Sequence, residues 1–189
     1  RKVDENFRGH FRNSTADYLR SPAAQGEKVS TSISKLTGAG NYFEDFEVGA
    51  KIRHARGTTI GEIENQMLTK LVLNTADGHY NEHRMRSTQF GQRLVFGLVT
   101  GSVCIGLATQ DTGENALAEL GLTGIRFTSP VFHGDTLYAY SEVLEKRDAD
   151  RDDAGIVRFK HWGTKQDGTI VFEGERTVLI KRRSHWGNR

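Results

Sequence analysis

Apolar and polar positions are arranged in three ways along this chain, and each arrangement predicts a different element. From Ile52 to Thr59 a short segment with branched residues and a glycine suits a first strand. Directly after it, Ile63, Met67, Leu68, Leu71 and Val72 recur at steps of three and four. That spacing predicts a helix, opening at Thr59 or Gly61, with one apolar face. Glu62 and Glu64 fall in its first turn, where carboxylates favour the positive end of the helix dipole. Asn74 to Gln89 is polar and reads as a loop with one short helix. Leu94 to Ala108 is apolar all round and too long for an average strand, which predicts a buried helix. Gly97, Gly101 and Gly106 within it cost roughly 1 kcal/mol each in helix propensity but let other backbones come close.

Beyond Gly121 the pattern changes to strands. Ile125–Phe127, Thr136–Leu144, Ile156–Trp162 and Thr169–Ile180 are rich in branched and aromatic residues. Polar turns separate them at His133-Gly134-Asp135, at Lys146 to Gly155, and at Lys165-Gln166-Asp167-Gly168, the last with the Asp-Gly pair favoured in hairpins. Strand, helices, then an antiparallel meander describe an α+β domain: one sheet wrapped around one central buried helix. Residues 1–38 differ, being rich in Ser, Arg, Gly and Asn without sustained periodicity. They read as an N-terminal arm packed on the domain or on a partner subunit, or else as a disordered tail. The domain then occupies 39–183, with a C-terminal tail over 184–189.

Composition narrows the classes. A length of 189 residues with 36% hydrophobic and 26% charged groups suits one soluble globular domain. The formal charge of +2 leaves no basic stripe for nucleic acid. Lys181-Arg182-Arg183 is the densest basic run, and reads as a solvated chain end or as a contact for the phosphates of a nucleotide-bearing substrate. Cys104 is the only cysteine, which excludes an internal disulfide and a zinc–thiolate cluster. In its apolar run it behaves as a small hydrophobe. No apolar stretch reaches the ~18 residues of a membrane span and no signal-peptide pattern opens the chain, so the expected compartment is the cytoplasm.

Chemistry concentrates in the polar loop, Asn74-Thr75-Ala76-Asp77-Gly78-His79-Tyr80-Asn81-Glu82-His83. A histidine and an amide or carboxyl group held together can bind a water between them, and the imidazole can take or give its proton. The same composition also suits a loop whose polar groups face solvent. Gly97 lies where the buried helix starts, and the backbone N–H groups of a helix start have no intrahelical partners. A glycine there lets a thioester carbonyl approach donors that stabilise an enolate oxygen, or simply packs against the sheet. His133 sits at a turn, and His161 in a strand. His79 and His83 have i, i+4 spacing but no evident third ligand, so no metal is expected.

Taken in order, Tyr42-Phe43-Glu44-Asp45-Phe46-Glu47-Val48-Gly49, the polar loop, Phe90-Gly91-Gln92-Arg93-Leu94-Val95-Phe96-Gly97 and Arg126-Phe127-Thr128-Ser129-Pro130-Val131-Phe132-His133-Gly134-Asp135-Thr136-Leu137 resemble the MaoC-like hydratase/dehydratase branch of the hot-dog superfamily. The resemblance covers 41–183. That family carries an Asp and a His five residues apart, as D-x-N-P-x-H, with a Phe-Gly pair about a dozen residues later. Its histidine falls on His79, and Asn74 stands where many relatives have the aspartate. The loop is most similar to the β-methylmalyl-CoA dehydratase and mesaconyl-CoA hydratase branch, which commonly fuses two hot-dog units.

The resemblance implies a single hot-dog domain and a hydro-lyase acting on an acyl-CoA thioester without a cofactor. His79 is the implied acid–base group, Asn74 orients the water, and Gly97 offers its N–H to the thioester oxygen. Asp77 orients His79 or supplies the missing carboxylate, with Glu82 a further candidate. Phe96, Leu98 and Arg93 are the implied substrate contacts. A homodimer or a larger assembly of dimers is also implied. A hot-dog thioesterase and a non-catalytic acyl-CoA-binding subunit are the rival readings.

Overall fold

A computed structural model describes residues 32–33 and 40–187; the rest of the arm expected over 1–38, and residues 188–189, lie outside them. Six strands form one sheet: β1 (Ser32–Ile33), β2 (Lys51–Thr59), β3 (Ala116–Arg126), β4 (Thr136–Ala149), β5 (Arg151–Lys165) and β6 (Ile170–Lys181). Their spatial order is β1-β2-β4-β5-β6-β3, antiparallel everywhere except between β1 and β2. Among the described residues four α-helices accompany them: α1 (Glu62–Leu71), α2 (Glu82–Met85), α3 (Gly97–Thr112) and α4 (Arg183–Trp186).

Strict alternation builds the core. Leu137, Ala139, Ser141 and Val143 of β4, Val157, Phe159, His161 and Gly163 of β5, and Phe172, Gly174, Arg176, Val178 and Ile180 of β6 all face inward. Successive side chains of a strand point to opposite faces, so every second residue meets α3 or the buried cluster beside it. Around the first half of α3 the core is Ile60, Val95, Val99, Cys104, Val131, Leu137, Val171 and Phe172. A second cluster joins Phe43 and Phe46 to Val143, Val157, Phe159, Val178 and Ile180. Close contact between helix and sheet depends on Gly163, where a Cβ would stand 2.1 Å from the Cys104 sulfur. Burial pushes the Cys104 thiol up to about 12, so it stays protonated and inert.

Several elements differ from the sequence expectation. The meander is confined to β4, β5 and β6, whereas β3 begins earlier, at Ala116, and pairs with β6 at the sheet edge. The expected turn from Lys146 to Gly155 is mostly strand, with Asp148 opposite Gly155. Helix α1 forms where its periodicity predicts, with its apolar face outward. Asn65 and Thr69 are fully buried, while Ile63, Met67 and Leu71 are exposed. Buried backbone groups of the segment before α3 require polar partners, and the Asn65 stripe supplies them. Helix α3 is likewise covered on one side only, since Leu98, Ser102 and Gly106 are exposed.

Nor is the basic run a solvated chain end. Lys181 lies over the Trp186 ring, Arg182 pairs with Asp148 and stacks on Phe43, and Arg183 pairs with Asp45. The Trp186 indole donates to the Asp153 carbonyl, docking α4 on the hairpin. No helix among the described residues is long and apolar enough to cross a membrane.

Inside the sheet, beside the C-terminal turn of α3, runs a buried polar chain. His54 Nδ1 lies 2.6 Å from the Asp111 carboxylate, His54 Nε2 2.7 Å from Ser141 Oγ, and Ser141 Oγ 2.7 Å from His161 Nδ1. These bonds tie β2, β4 and β5 to the helix.

Candidate functional site

At the other end of α3 the loop, α1 and the short segment Leu94–Phe96 converge. Backbone bonds set the frame. Leu94 N–H donates to the Gly78 carbonyl at 2.9 Å, and Val95 N–H to the Val131 carbonyl at 2.9 Å. The loop residues 77–79 form a single 3-10 turn, in which His79 N–H donates to Ala76. This turn presents the His79 ring to Leu94, whose carbonyl lies 3.0 Å from Nδ1. A carbonyl only accepts, so Nδ1 carries the hydrogen and the neutral ring keeps its lone pair on Nε2. The ring centroid stands 5.3 Å from that of Phe96, the residue immediately before Gly97.

Helix α3 opens without a side-chain cap, and its first bond runs from Thr100 N–H to the Phe96 carbonyl. Its leading N–H groups are therefore donors at the positive end of a sixteen-residue helix. Gly97 is tightly covered by Phe127, whose ring carbons would lie 3.0–3.2 Å from any Cβ there. A side chain at 97 would require the half-exposed Phe127 ring to give way by a few tenths of an ångström. Phe127, just beyond the end of β3, is marked in the sequence only as part of a strand and of the family motif, not as a site residue.

Asn74 Oδ1 accepts from Ala76 N–H at 2.9 Å, and its carbonyl accepts from the Tyr80 hydroxyl at 2.8 Å. The amide oxygen is thus committed to a turn, which leaves its NH2 group as a donor.

Other candidates are engaged elsewhere. Asp77 does not orient His79: its carboxylate pairs with Arg84 on the exposed side of the loop, and the Leu94 carbonyl takes the orienting role instead. Arg93, expected to contact substrate, is held by Glu62 at 2.5 Å and Glu82 at 2.9 Å. Hydrogen bonding to Arg93 holds the Glu82 carboxyl below its ordinary range, so it remains an ion-pair partner and not a base. Leu98 is half exposed beside the helix start, whereas His83 faces solvent on α2. Among the described residues no group of His, Cys, Asp and Glu comes together to hold a metal.

Comparison with known proteins supplies the family. The family model for mesaconyl-CoA hydratase matches residues 35–182. A β-methylmalyl-CoA dehydratase of Chloroflexus aurantiacus is 37% identical over 173 residues, covering 82% of this chain and 49% of its own length. An (R)-specific enoyl-CoA hydratase of Rhodospirillum rubrum is 29% identical over 149 residues, covering 76% of this chain and 94% of its own. Among solved structures, a MaoC domain dehydratase from Chloroflexus aurantiacus superposes with a TM-score of 0.71 at 36% identity, over 76% of this chain and 45% of that one. The chain spans about half the length of the longer relatives it matches. With the wrapped sheet, the central helix and the family match over most of the described residues, the chain belongs to the mesaconyl-CoA hydratase family of MaoC-like hot-dog proteins.

Proposed function

We propose that this chain adds or removes water across the α,β double bond of an acyl-CoA thioester. One observation carries the reading: an imidazole whose Nδ1–H is fixed on the Leu94 carbonyl stands beside the uncapped start of α3. In hydration, Asn74 NH2 holds the water oxygen and His79 Nε2 removes one proton as the oxygen bonds to the β-carbon. The electron pair of the double bond moves to the thioester oxygen, where the Gly97 N–H stabilises the enolate. The imidazolium then returns its proton at the α-carbon, completing the addition of one water. Dehydration is the same path reversed.

The family points to a branched, carboxylated C5 acyl group, as in mesaconyl-CoA and β-methylmalyl-CoA. Thioester hydrolysis fits less well, because Asp77 and Glu82 are tied to arginines. Pairing with a second hot-dog unit is supported by the edge strand β3, on which Leu120, Leu122 and Ile125 are exposed. In this reading a homodimer completes the assembly. The deciding assay follows enoyl absorbance and free CoA thiol together, on mesaconyl-CoA and crotonyl-CoA. Loss of enoyl absorbance without thiol release is expected; thiol release at the rate of substrate loss would replace the hydratase by a thioesterase. Sedimentation at micromolar concentration tests the dimer, and a monomer would remove it.

A further inference from the structure

One buried amide touches both halves of the site. Asn65, on α1, is fully buried. Its Oδ1 accepts from the Phe96 backbone N–H at 3.0 Å, and its Nδ2 donates to the Leu94 carbonyl at 3.4 Å and to His133 Nε2 at 3.0 Å. The Phe96 N–H can only donate and the Leu94 carbonyl can only accept, so these two partners fix which end of the amide is oxygen. His133 Nε2 must then accept, which makes His133 neutral with its hydrogen on Nδ1. Burial, then the nearby Arg93 charge, lowers the His133 pKa in the same direction, against the weaker pull of Glu62 and Glu82. Thr69 Oγ1 donates to the Asn65 carbonyl at 2.5 Å, securing the backbone of α1 behind the amide.

The Leu94 carbonyl held by Asn65 is the one that receives His79 Nδ1–H, and the Phe96 N–H held by Asn65 lies one residue before Gly97. We propose that Asn65 is the positioning residue of this site: it clamps Leu94 and Phe96 so that the His79 tautomer and the opening turn of α3 are set by the same side chain, with His133 holding the amide in register. The inference rests on the hydratase reading for its kinetic consequence, though not for its structural one. It also accounts for why the Asn65–Thr69 face of α1, and not its apolar face, is the buried one. An apolar residue at position 65 would leave the Phe96 N–H without its buried acceptor and the Leu94 carbonyl without its second donor. Asn65 acts through other groups and touches no reacting atom, so its loss should lower kcat and leave KM nearly unchanged.

Two variants test the clamp. Asn65→Leu removes every side-chain bond at similar volume. Asn65→Asp keeps the acceptor for Phe96 N–H but loses the donors to Leu94 and His133, and is the variant to use if Asn65→Leu does not fold. Each is assayed on crotonyl-CoA well below its own melting temperature, and long-range 1H–15N spectra report the hydrogen position on His79 and His133. The expected result is a fall in kcat of about 10- to 100-fold with KM within about threefold, the scale of a misplaced reacting group. His79 should then show a mixture of Nδ1–H and Nε2–H forms where the wild type shows Nδ1–H alone. A folded variant with wild-type kcat, or with an unchanged His79 spectrum, would overturn the proposal. Wild-type protein without hydratase turnover on either thioester would sink the functional reading instead, and the spectra would still decide the clamp.

Discussion

The two ends of α3 each gather histidine and other polar side chains, and the two groups are satisfied very differently. At its C-terminal turn, Asp111, His54 and Ser141 stand in hydrogen-bonded series, the residue types of a nucleophilic triad, and His161 extends the series. At its N-terminal turn there is one histidine held by a backbone carbonyl, with an amide nearby in the loop. By residue type the first looks the more reactive. Burial reverses the ranking. His54 and Ser141 are sealed from solvent, and both nitrogens of His54 are already bonded. His161 Nε2 has no hydrogen-bond partner among the described residues, but the ring is buried. His79 is only partly buried and, among the described residues, has one nitrogen engaged, which in the proposed reading leaves the other for substrate. Saturated and enclosed, a polar chain fixes strands to a helix; half-satisfied at an edge, a single imidazole can carry a proton.

Substitutions at the two ends should therefore read out differently. The largest effect is expected from His79→Ala, with hydration kcat falling at least ~100-fold while the urea midpoint barely moves. A variant that keeps most of its turnover would erase the contrast between the two ends. Next, Asp111→Ala leaves His54 without its buried carboxylate, and equilibrium unfolding should show a loss of about 3–5 kcal/mol. A loss below about 1 kcal/mol would mean that the buried chain holds nothing together.

Acidification sharpens the same contrast. Burial, then Arg176 and His54, pushes His161 down to about 3. The folded state thus keeps this ring neutral at pH values where the unfolded chain, near 6.5, takes up a proton. Its contribution to stability is present above pH 6.5 and is lost as pH falls from there toward 3. The slope is at most roughly 1.4 kcal/mol per pH unit for one group. Urea unfolding at pH 7 and pH 5 should show this fall, and His161→Gln should flatten it; an equal slope in both proteins would assign the acid sensitivity elsewhere. The smallest effect belongs to Asp77→Ala. It breaks only an exposed pair with Arg84, so stability should change by less than ~1 kcal/mol and kcat by less than about twofold. A tenfold loss of kcat would return Asp77 to the chemistry.

Much of this was legible along the chain. The long apolar run marked α3, the branched segments marked β4, β5 and β6, and the dense polar loop marked the neighbourhood of His79. Asn65 was not legible, since a lone asparagine inside an amphipathic helix looks like a surface residue. Its stripe with Thr69 is inverted relative to the apolar one, and only a buried partner reveals why. His54 was equally silent, because a histidine in a half-exposed strand carries no sign of the carboxylate 57 residues away. Arg93 stood in a family motif, but the motif does not say that two carboxylates already hold it.

Periodicity and motif order, which depend on neighbours a few residues apart, were enough to determine the fold class, the family and the loop that carries His79. Which groups in that loop remain available was decided only by the folded chain. Hydrogen-bond partners such as Leu94 for His79, Arg84 for Asp77 and Phe96 for Asn65 are assigned by three-dimensional contact, and a polar group already satisfied looks the same in sequence as one that is not.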